Sequence, residues 1–187
     1  AWEEMARLRD QGKVRHLGVS NFSIDQMERL ARIHPVESVQ PLYSMLHRDI
    51  EVDLAAYCRD RGIGMVTYSP LGRGLLTGRF NRDRLSQLAQ DDHRLRILDF
   101  QEPQFSETLE LVEALQPIAG RVGVPLAQLA IAWVLRRPEV TSAIVGARRP
   151  SQIQETAPAG DVRLPESVLE EIESLLAQRE KRIQQRE

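Results

Sequence analysis

Apolar residues in this chain recur in two alternating rhythms. In "AWEEMARLRDQ" Trp2, Met5, Ala6 and Leu8 fall at helical spacing and predict a helix over 1–11. "HLGVSN", residues 16–21, predicts a short strand. "SIDQMERLARI" predicts a second helix: Ser23 and Gln26 form a capping-box pair, and Ile24, Met27, Leu30 and Ala31 make one apolar stripe. "SVQPLYS", residues 38–44, predicts a second strand. Its Pro41 cannot donate to a ladder and belongs near the strand's end. "DIEVDLAAYCRDR" predicts a helix ended by Gly62, and "GMVTYS", residues 64–69, a strand stopped by Pro70. The rhythm breaks over 71–105, where Gly72, Gly74 and Gly78 stand among many charges. A connection that long is commonly functional or mobile. Helices return at 106–121 and 126–137, the second framed by Pro125 and Pro138. "TSAIVGA", residues 141–147, predicts a fourth strand, followed by helices from about 151 and from Pro165 to about 180. The tail 178–187, "QREKRIQQRE", reads as a solvated charge run.

Short apolar strands alternating with helices predict an α/β chain with a parallel sheet covered by helices. Its 187 residues, 42% of them apolar, suffice for a single domain over 1–187. Both an open doubly wound sheet and a piece of a barrel fit this order. No Gly-x-Gly-x-x-Gly follows a strand, which counts against a Rossmann domain. A net charge of −2 with no long basic stripe argues against nucleic acid. The longest apolar stretch, "LAQLAIAWVL", is too short to span a bilayer, and no basic-then-apolar signal opens the chain. The single cysteine, Cys58, excludes an intrachain disulfide and fits a reducing, cytoplasmic setting.

Ligands of parallel α/β folds sit where the strands end. The ends here carry Ser20 and Asn21, then Gln40 and Tyr43, then Tyr68 and Ser69, then Gly146 and Arg148. Three of the four carry neutral hydrogen-bonding groups, which suit an amide or a sugar more than a metal. His16, His34, His47 and His93 are scattered, and no His, Cys and carboxylate cluster has metal-ligand spacing. In "TSAIVGARRPSQIQET" Arg148 and Arg149 stand between a strand and a helix start. Helix N-termini attract anions, and a guanidinium forks onto phosphate oxygens. A lone arginine there would be read as a solvated turn residue. Two, with Gly146 and the glycine-rich "SPLGRGLLTG" after the preceding strand, point to phosphate. Tyr68 fits a ring stacked on a flat heterocycle, and equally a half-buried strand tyrosine. Gln40 and Asn21 suit a carboxamide and equally a loop tie.

Four segments, "GKVRHLGVSNF", "VQPLYS", "YSPLGRGLLTG" and "AIVGARRPSQIQET", resemble successive motifs of the aldo-keto reductases, and "VPLAQLAIAWVLRRPEV" resembles the segment before that family's last strand. The order and spacing agree from residue 1 to about 176, with bacterial members of the general-stress type as the nearest likeness. The resemblance implies the C-terminal half of a (β/α)8 TIM barrel, strands 5–8 of eight, as four βα units plus extra helices. It implies NADPH bound without a Rossmann fold. Ser20, Asn21 and Gln40 match the residues that hold the nicotinamide carboxamide, and Tyr68 the aromatic stacked on the ring. Ser69, Pro70, Leu71, Gly72 and Arg73 match the loop along the pyrophosphate. Gly146, Arg148, Gln152 and Glu155 match the adenosine and 2′-phosphate site. Thr156 stands where the family usually has Asn, and residues 72–105 resemble its long cofactor and substrate loop.

That family reduces carbonyls by hydride transfer, with an Asp, Tyr, Lys and His set from the barrel's first half. A whole barrel takes roughly 250 residues. The lysines here are Lys13, before the first strand, and Lys181, in the tail, so neither is expected beside a bound cofactor. Tyr43 and His47 are not expected to replace the set. The helix pattern begins at Ala1 with no cap before it, as expected of a truncated, split or excised part of a longer enzyme. The expected partner is then a small carbonyl substrate once an N-terminal half-barrel completes the fold. The alternatives are a catalytically silent or regulatory NADPH-binding module, or a half-barrel that self-associates through its open edges.

Overall fold

The structure, a computed structural model, describes residues 1–186. It opens with helix α1 (Trp2–Asp10), strand β1 (Gly18–Ser20), helix α2 (Ile24–Ala31), strand β2 (Ser38–Gln40), helix α3 (Leu54–Arg61) and strand β3 (Gly64–Tyr68). Helices α4 (Arg82–Ser86), α5 (Gln104–Val122) and α6 (Leu126–Leu135) follow. Strand β4 (Val140–Ile144), α7 (Pro150–Thr156) and α8 (Glu166–Gln184) complete the order. The strands form one parallel sheet in the order β1-β2-β3-β4, with Ser20 beside Gln40, Val39 beside Met65 and Tyr68 beside Ile144. The register shifts between Met65 and Val66 against β4.

Side chains alternate across a strand. Val39, Met65 and Thr67 are buried, and Val19 packs against the main core. The neighbours that alternate with them, Ser20, Gln40, Val66 and Tyr68, keep partial or full exposure. One sheet face therefore carries the core, while the other, with Ser20, Gln40, Val66 and Tyr68, is left partly uncovered. Gly18 is required by close approach: a Cβ there would meet the Ser38 side chain and stand 2.9 Å from the Ser38 carbonyl oxygen. α6 supplies the central packing element, with every residue from Leu126 to Val134 buried. Trp133, fully buried in its last turn, packs against Tyr43 with the rings 5.4 Å apart.

Several elements are shorter than their apolar patterns predict. β2 ends at Gln40 because Pro41 lacks an N–H. The chain still runs beside β3, with Tyr68 N donating to Pro41 O at 3.0 Å and Tyr43 N to Tyr68 O at 3.3 Å. The helix expected over 49–61 divides into a 3-10 turn, Asp49–Glu51, and α3, because Asp53 takes φ −145°. Gly62 ends α3 in the left-handed conformation, φ 65°.

Residues 72–105 are built around a second apolar cluster rather than left as a bare loop. Leu75, Phe80, Phe100 and Phe105 are buried together, and Phe80 meets Phe100 edge-on at 5.3 Å. The tail corrects the sequence reading. Residues 178–184 continue α8, and Arg179 is buried with both Nε and Nη2 donating to Thr108 Oγ1. Arg182 Nε lies 2.5 Å and Arg186 Nη2 3.0 Å from the fully buried Glu107 carboxylate. A buried carboxylate needs such partners, and the charges of the tail supply them.

Candidate functional site

A cleft of about 590 Å³ opens where β3 and β4 end. One wall is the glycine-rich turn after β3 with the start of the long loop. The other is the turn after β4 with α7. Of the residues singled out in the sequence, Tyr68, Ser69, Pro70, Leu71, Arg73, Gly146, Arg148, Gln152, Glu155 and Thr156 line it. Gly72 is buried beneath, at φ +53°, where a Cβ would stand 2.9 Å from Leu46 Cδ1. Ser20, Asn21 and Gln40 lie outside this lining but adjoin it through hydrogen bonds. Tyr68 Oη donates to Asn21 Oδ1 at 3.1 Å. Ser20 Oγ donates to Gln40 O at 2.9 Å, and Asn21 N donates to the same carbonyl at 3.2 Å.

The backbone singles out the same places. Among the described residues, the non-glycine positions with positive φ are Asn21 (58°), Ser69 (58°) and Arg73 (54°). Such conformations persist where the surroundings over-determine them, and they cluster at ligand-holding sites.

Six arginines line the cleft: Arg73, Arg79, Arg84, Arg94, Arg148 and Arg149, facing one lining carboxylate, Glu155. Three of them have acidic partners. Arg79 forks onto Glu155 at 2.9 and 2.8 Å, Arg94 onto Asp92, and Arg73 Nη1 stands 3.8 Å from the buried Asp99. The Arg94 hydrogen bonds hold the Asp92 carboxyl well below its ordinary range. Arg84, Arg148 and Arg149 form no ion pair among the described residues. The backbone that presents the last two is fixed by Gln152, whose Oε1 accepts from Arg148 N at 2.7 Å and Arg149 N at 3.1 Å. Pro150 at the first helical position sets the start of α7. Thr156, buried, donates its hydroxyl to Gln152 O.

Arg79, Arg84 and Arg94 were not legible in the sequence as site residues. Phe80 explains their arrival: Arg84 and Arg94 lie over its ring at 5.5 and 5.7 Å, so the aromatic cluster carries its flanking cations to the cleft. The signal was an aromatic at 80 that needed distant partners, with arginines on either side.

Tyr43 and His47 do not form an acid–base pair. Tyr43 is fully buried, donates to Glu51 Oε1 at 2.5 Å and accepts from Arg136 Nη1 at 2.8 Å. Burial pushes its phenol well above the ordinary tyrosine range, helped by Glu51 and opposed by Arg136. His47 Nε2 lies 2.7 Å from Asp99 Oδ2. Cys58 is buried in α3, and burial, with Glu139 nearby, pushes its thiol up to about 11. Among the described residues no group of three His, Cys, Asp or Glu could hold a metal ion, and no single helix is long and apolar enough to cross a membrane.

The molecule is thus a parallel α/β sheet with an arginine-lined cleft at its strand ends. The comparisons give the family. The chain matches the family model of the Aldo/keto reductase family over residues 1–177, and it belongs to that family. It is 38% identical over 153 residues to "Aldo-keto reductase YhdN" of Bacillus subtilis (strain 168), covering 81% of this chain and 46% of that protein. It is 32% identical over 160 residues to "NADH-specific methylglyoxal reductase" of Escherichia coli (strain K12), covering 86% of this chain and 48% of that protein. Among solved structures, the glycerol dehydrogenase AKR11B4 from Gluconobacter oxydans superposes with a TM-score of 0.86 at 32% identity. That match covers 95% of this chain and 54% of that one. The chain thus spans about half the length of the relatives it matches, and its four parallel strands are consistent with part of a TIM barrel.

Proposed function

We propose that this chain is the cofactor-holding part of an NADPH-dependent aldo-keto reductase, and that carbonyl reduction belongs to the barrel completed by four further strands. The observation that carries the reading is the convergence of Arg148, Arg149 and Arg84, without acidic partners among the described residues, on one cleft with the turn after β3. The donor set fits a phosphate-bearing dinucleotide. Guanidinium forks suit phosphate oxygens, the Tyr68 ring suits a flat heterocycle, and Ser20, Asn21 and Gln40 offer amide partners. Arg73, with Ser69 and Leu71, would run along the pyrophosphate. Arg148 and Gln152 would hold the adenosine end, where a 2′-phosphate gives Arg148 an anion to meet. Bound nicotinamide would supply the hydride, and this chain's residues bind, orient and shield it.

Titration calorimetry with NADPH and NADH tests this. We expect tighter binding of NADPH, and Arg148→Ala to remove most of the difference while sparing NADH. Failure of both nucleotides to bind would overturn the reading. Equal binding, or a preference for NADH like that named for the E. coli relative, would overturn its NADPH part.

A second reading, a catalytically silent nucleotide-binding module, is favoured by where the titratable residues stand. Lys13 lies in the exposed turn that enters β1, away from the strand ends, and Lys181 lies on α8. Tyr43 is locked between Glu51 and Arg136. An NADPH-oxidation assay with assorted aldehydes distinguishes the readings: turnover by this chain alone, surviving Tyr43→Phe, would remove the silent one.

A further inference from the structure

Behind the turn after β3, one carboxylate oxygen faces two donors. Asp99 is 5% exposed and lies on the 3-10 turn Leu98–Phe100, which Phe100 anchors in the second apolar cluster. Its Oδ2 stands 2.7 Å from His47 Nε2, fifty-two positions away, and 3.8 Å from Arg73 Nη1. A carboxylate only accepts, so Nε2 carries the hydrogen of the shorter contact. The longer contact is beyond hydrogen-bond reach. His47 is fixed independently of Asp99. Its N–H donates to Ser44 O at 3.2 Å, its carbonyl accepts from Ser44 N at 3.1 Å, and Ser44 is fully buried. Leu46, next to it, packs where a Cβ on Gly72 would collide. Arg73 follows Gly72 at φ 54° and lines the cleft. The charge of Asp99 also reaches Arg179, but that guanidinium gives Nε and Nη2 to Thr108 Oγ1.

We propose that His47 is a positioning residue for Arg73: by occupying Asp99 Oδ2 it keeps the guanidinium from closing onto that carboxylate, and so leaves it for an anionic group in the cleft. The inference rests on the dinucleotide reading above, in which that group is the pyrophosphate. A buried carboxylate stripped of its hydrogen bond must find another donor. With His47 gone, Arg73 is the donor already beside that oxygen. A move of about 1 Å turns its contact into a charge-assisted hydrogen bond. The guanidinium then serves the fold rather than the ligand. The exchange takes place between two donors at one oxygen. It therefore depends on the charge of Asp99 and on the Nε2 hydrogen, not on the bulk of the imidazole.

Titration calorimetry on the full chain tests this with NADP⁺ and with adenosine 2′-monophosphate, which lacks the pyrophosphate. We expect His47→Leu to weaken NADP⁺ about tenfold, the scale of one hydrogen bond to a charged group, and to leave adenosine 2′-monophosphate unchanged. His47→Gln, whose amide N–H can stand in for Nε2, keeps the wild-type affinity. Adding Asp99→Asn to His47→Leu restores NADP⁺ binding, because no charge is left to draw Arg73 away. In an Arg73→Ala background, His47→Leu has no further effect. A histidine that only supported the fold would weaken both ligands, and Asp99→Asn would deepen the loss. Should His47→Leu fail to fold, Asp99→Asn alone decides: it must bind NADP⁺ at least as tightly as the wild type, and weaker binding overturns the inference. NADP⁺ affinity unchanged in a folded His47→Leu, or no recovery in the double variant, also overturns it and leaves the dinucleotide reading standing. Absence of NADP⁺ binding by the wild type overturns both.

Discussion

Arg79 and Glu155 form a forked ion pair across the cleft, with the guanidinium Nη2 at 2.9 and 2.8 Å from the two carboxylate oxygens. The pair joins the loop after β3 to α7, the two walls that a ligand would separate or bind between. Arg79 is mostly exposed, so the pair contributes little to folding, less than about 1 kcal/mol. On the nucleotide reading proposed above, its consequence is kinetic. Arg79→Ala is expected to leave thermal stability nearly unchanged and to speed nucleotide release. Stopped-flow displacement, compared at low and high salt, checks this: a large fall in melting temperature with an unchanged release rate would contradict it.

Gln152 should matter to both fold and binding. Its side chain accepts from Arg148 N and Arg149 N and so sets the turn that presents the two arginines. Gln152→Ala removes a helix-start tie worth about 1 kcal/mol. The expected result is a modest loss in urea stability together with weaker NADPH binding, the latter larger than the loss shown by an exposed substitution elsewhere on α7.

The junction of α8 and α5 predicts a cost at a position that reads as surface. Arg182 and Arg186 hold the buried Glu107 carboxylate. Arg182→Ala leaves that charge with one partner fewer and should cost about 2–3 kcal/mol. Pairing it with Glu107→Leu should recover most of the loss. Chemical denaturation of the two variants measures it, and a full loss in the double variant would argue against the ion pair as the cause.

Glu51 predicts an acid limb. Burial opposes its ionisation, but hydrogen bonds from Tyr43 and Arg48, with the Arg136 charge, outweigh burial and hold its carboxyl below the ordinary glutamate range. A depressed folded value means the stabilisation is present above the unfolded value, near 4.5, and is lost as pH falls through the folded one. Glu51→Gln should therefore lower stability at pH 7 by about 2 kcal/mol and flatten its dependence on pH below about 4.5. Melting temperatures across pH 3–7 compare the slopes.

Cys58 should resist modification. Its thiol is buried and raised to about 11, so almost no thiolate exists at pH 8. An aromatic disulfide reagent should react only on the timescale of unfolding. Rapid reaction in native buffer would show that α3 opens locally.

Much of this architecture was legible because its determinants are local. Gly62 and the Ser23–Gln26 box mark helix boundaries within a few residues of themselves, and the structure keeps both. The turn after β4 was legible for the same reason, since Arg148 and Arg149 stand next to the strand that positions them. What escaped depends on partners far along the chain. Phe80 packs with Phe100 and Phe105, and only that cluster brings Arg84 and Arg94 to the cleft. Tyr43 finds Arg136 ninety-three positions away, and Arg182 finds Glu107 seventy-five away. A run of charges looks solvated until the buried carboxylate it serves is known.

Asn21, Ser69 and Arg73 hold the left-handed backbone without being glycine. Asparagine takes that shape at little cost, whereas serine and arginine pay more for it. Glycine at 69 and 73 would thus relieve that cost yet hold the turn after β3 less firmly in the shape it gives the cleft. Engineering for heat resistance that began with these two sites would improve the melting curve and loosen the wall of the cleft.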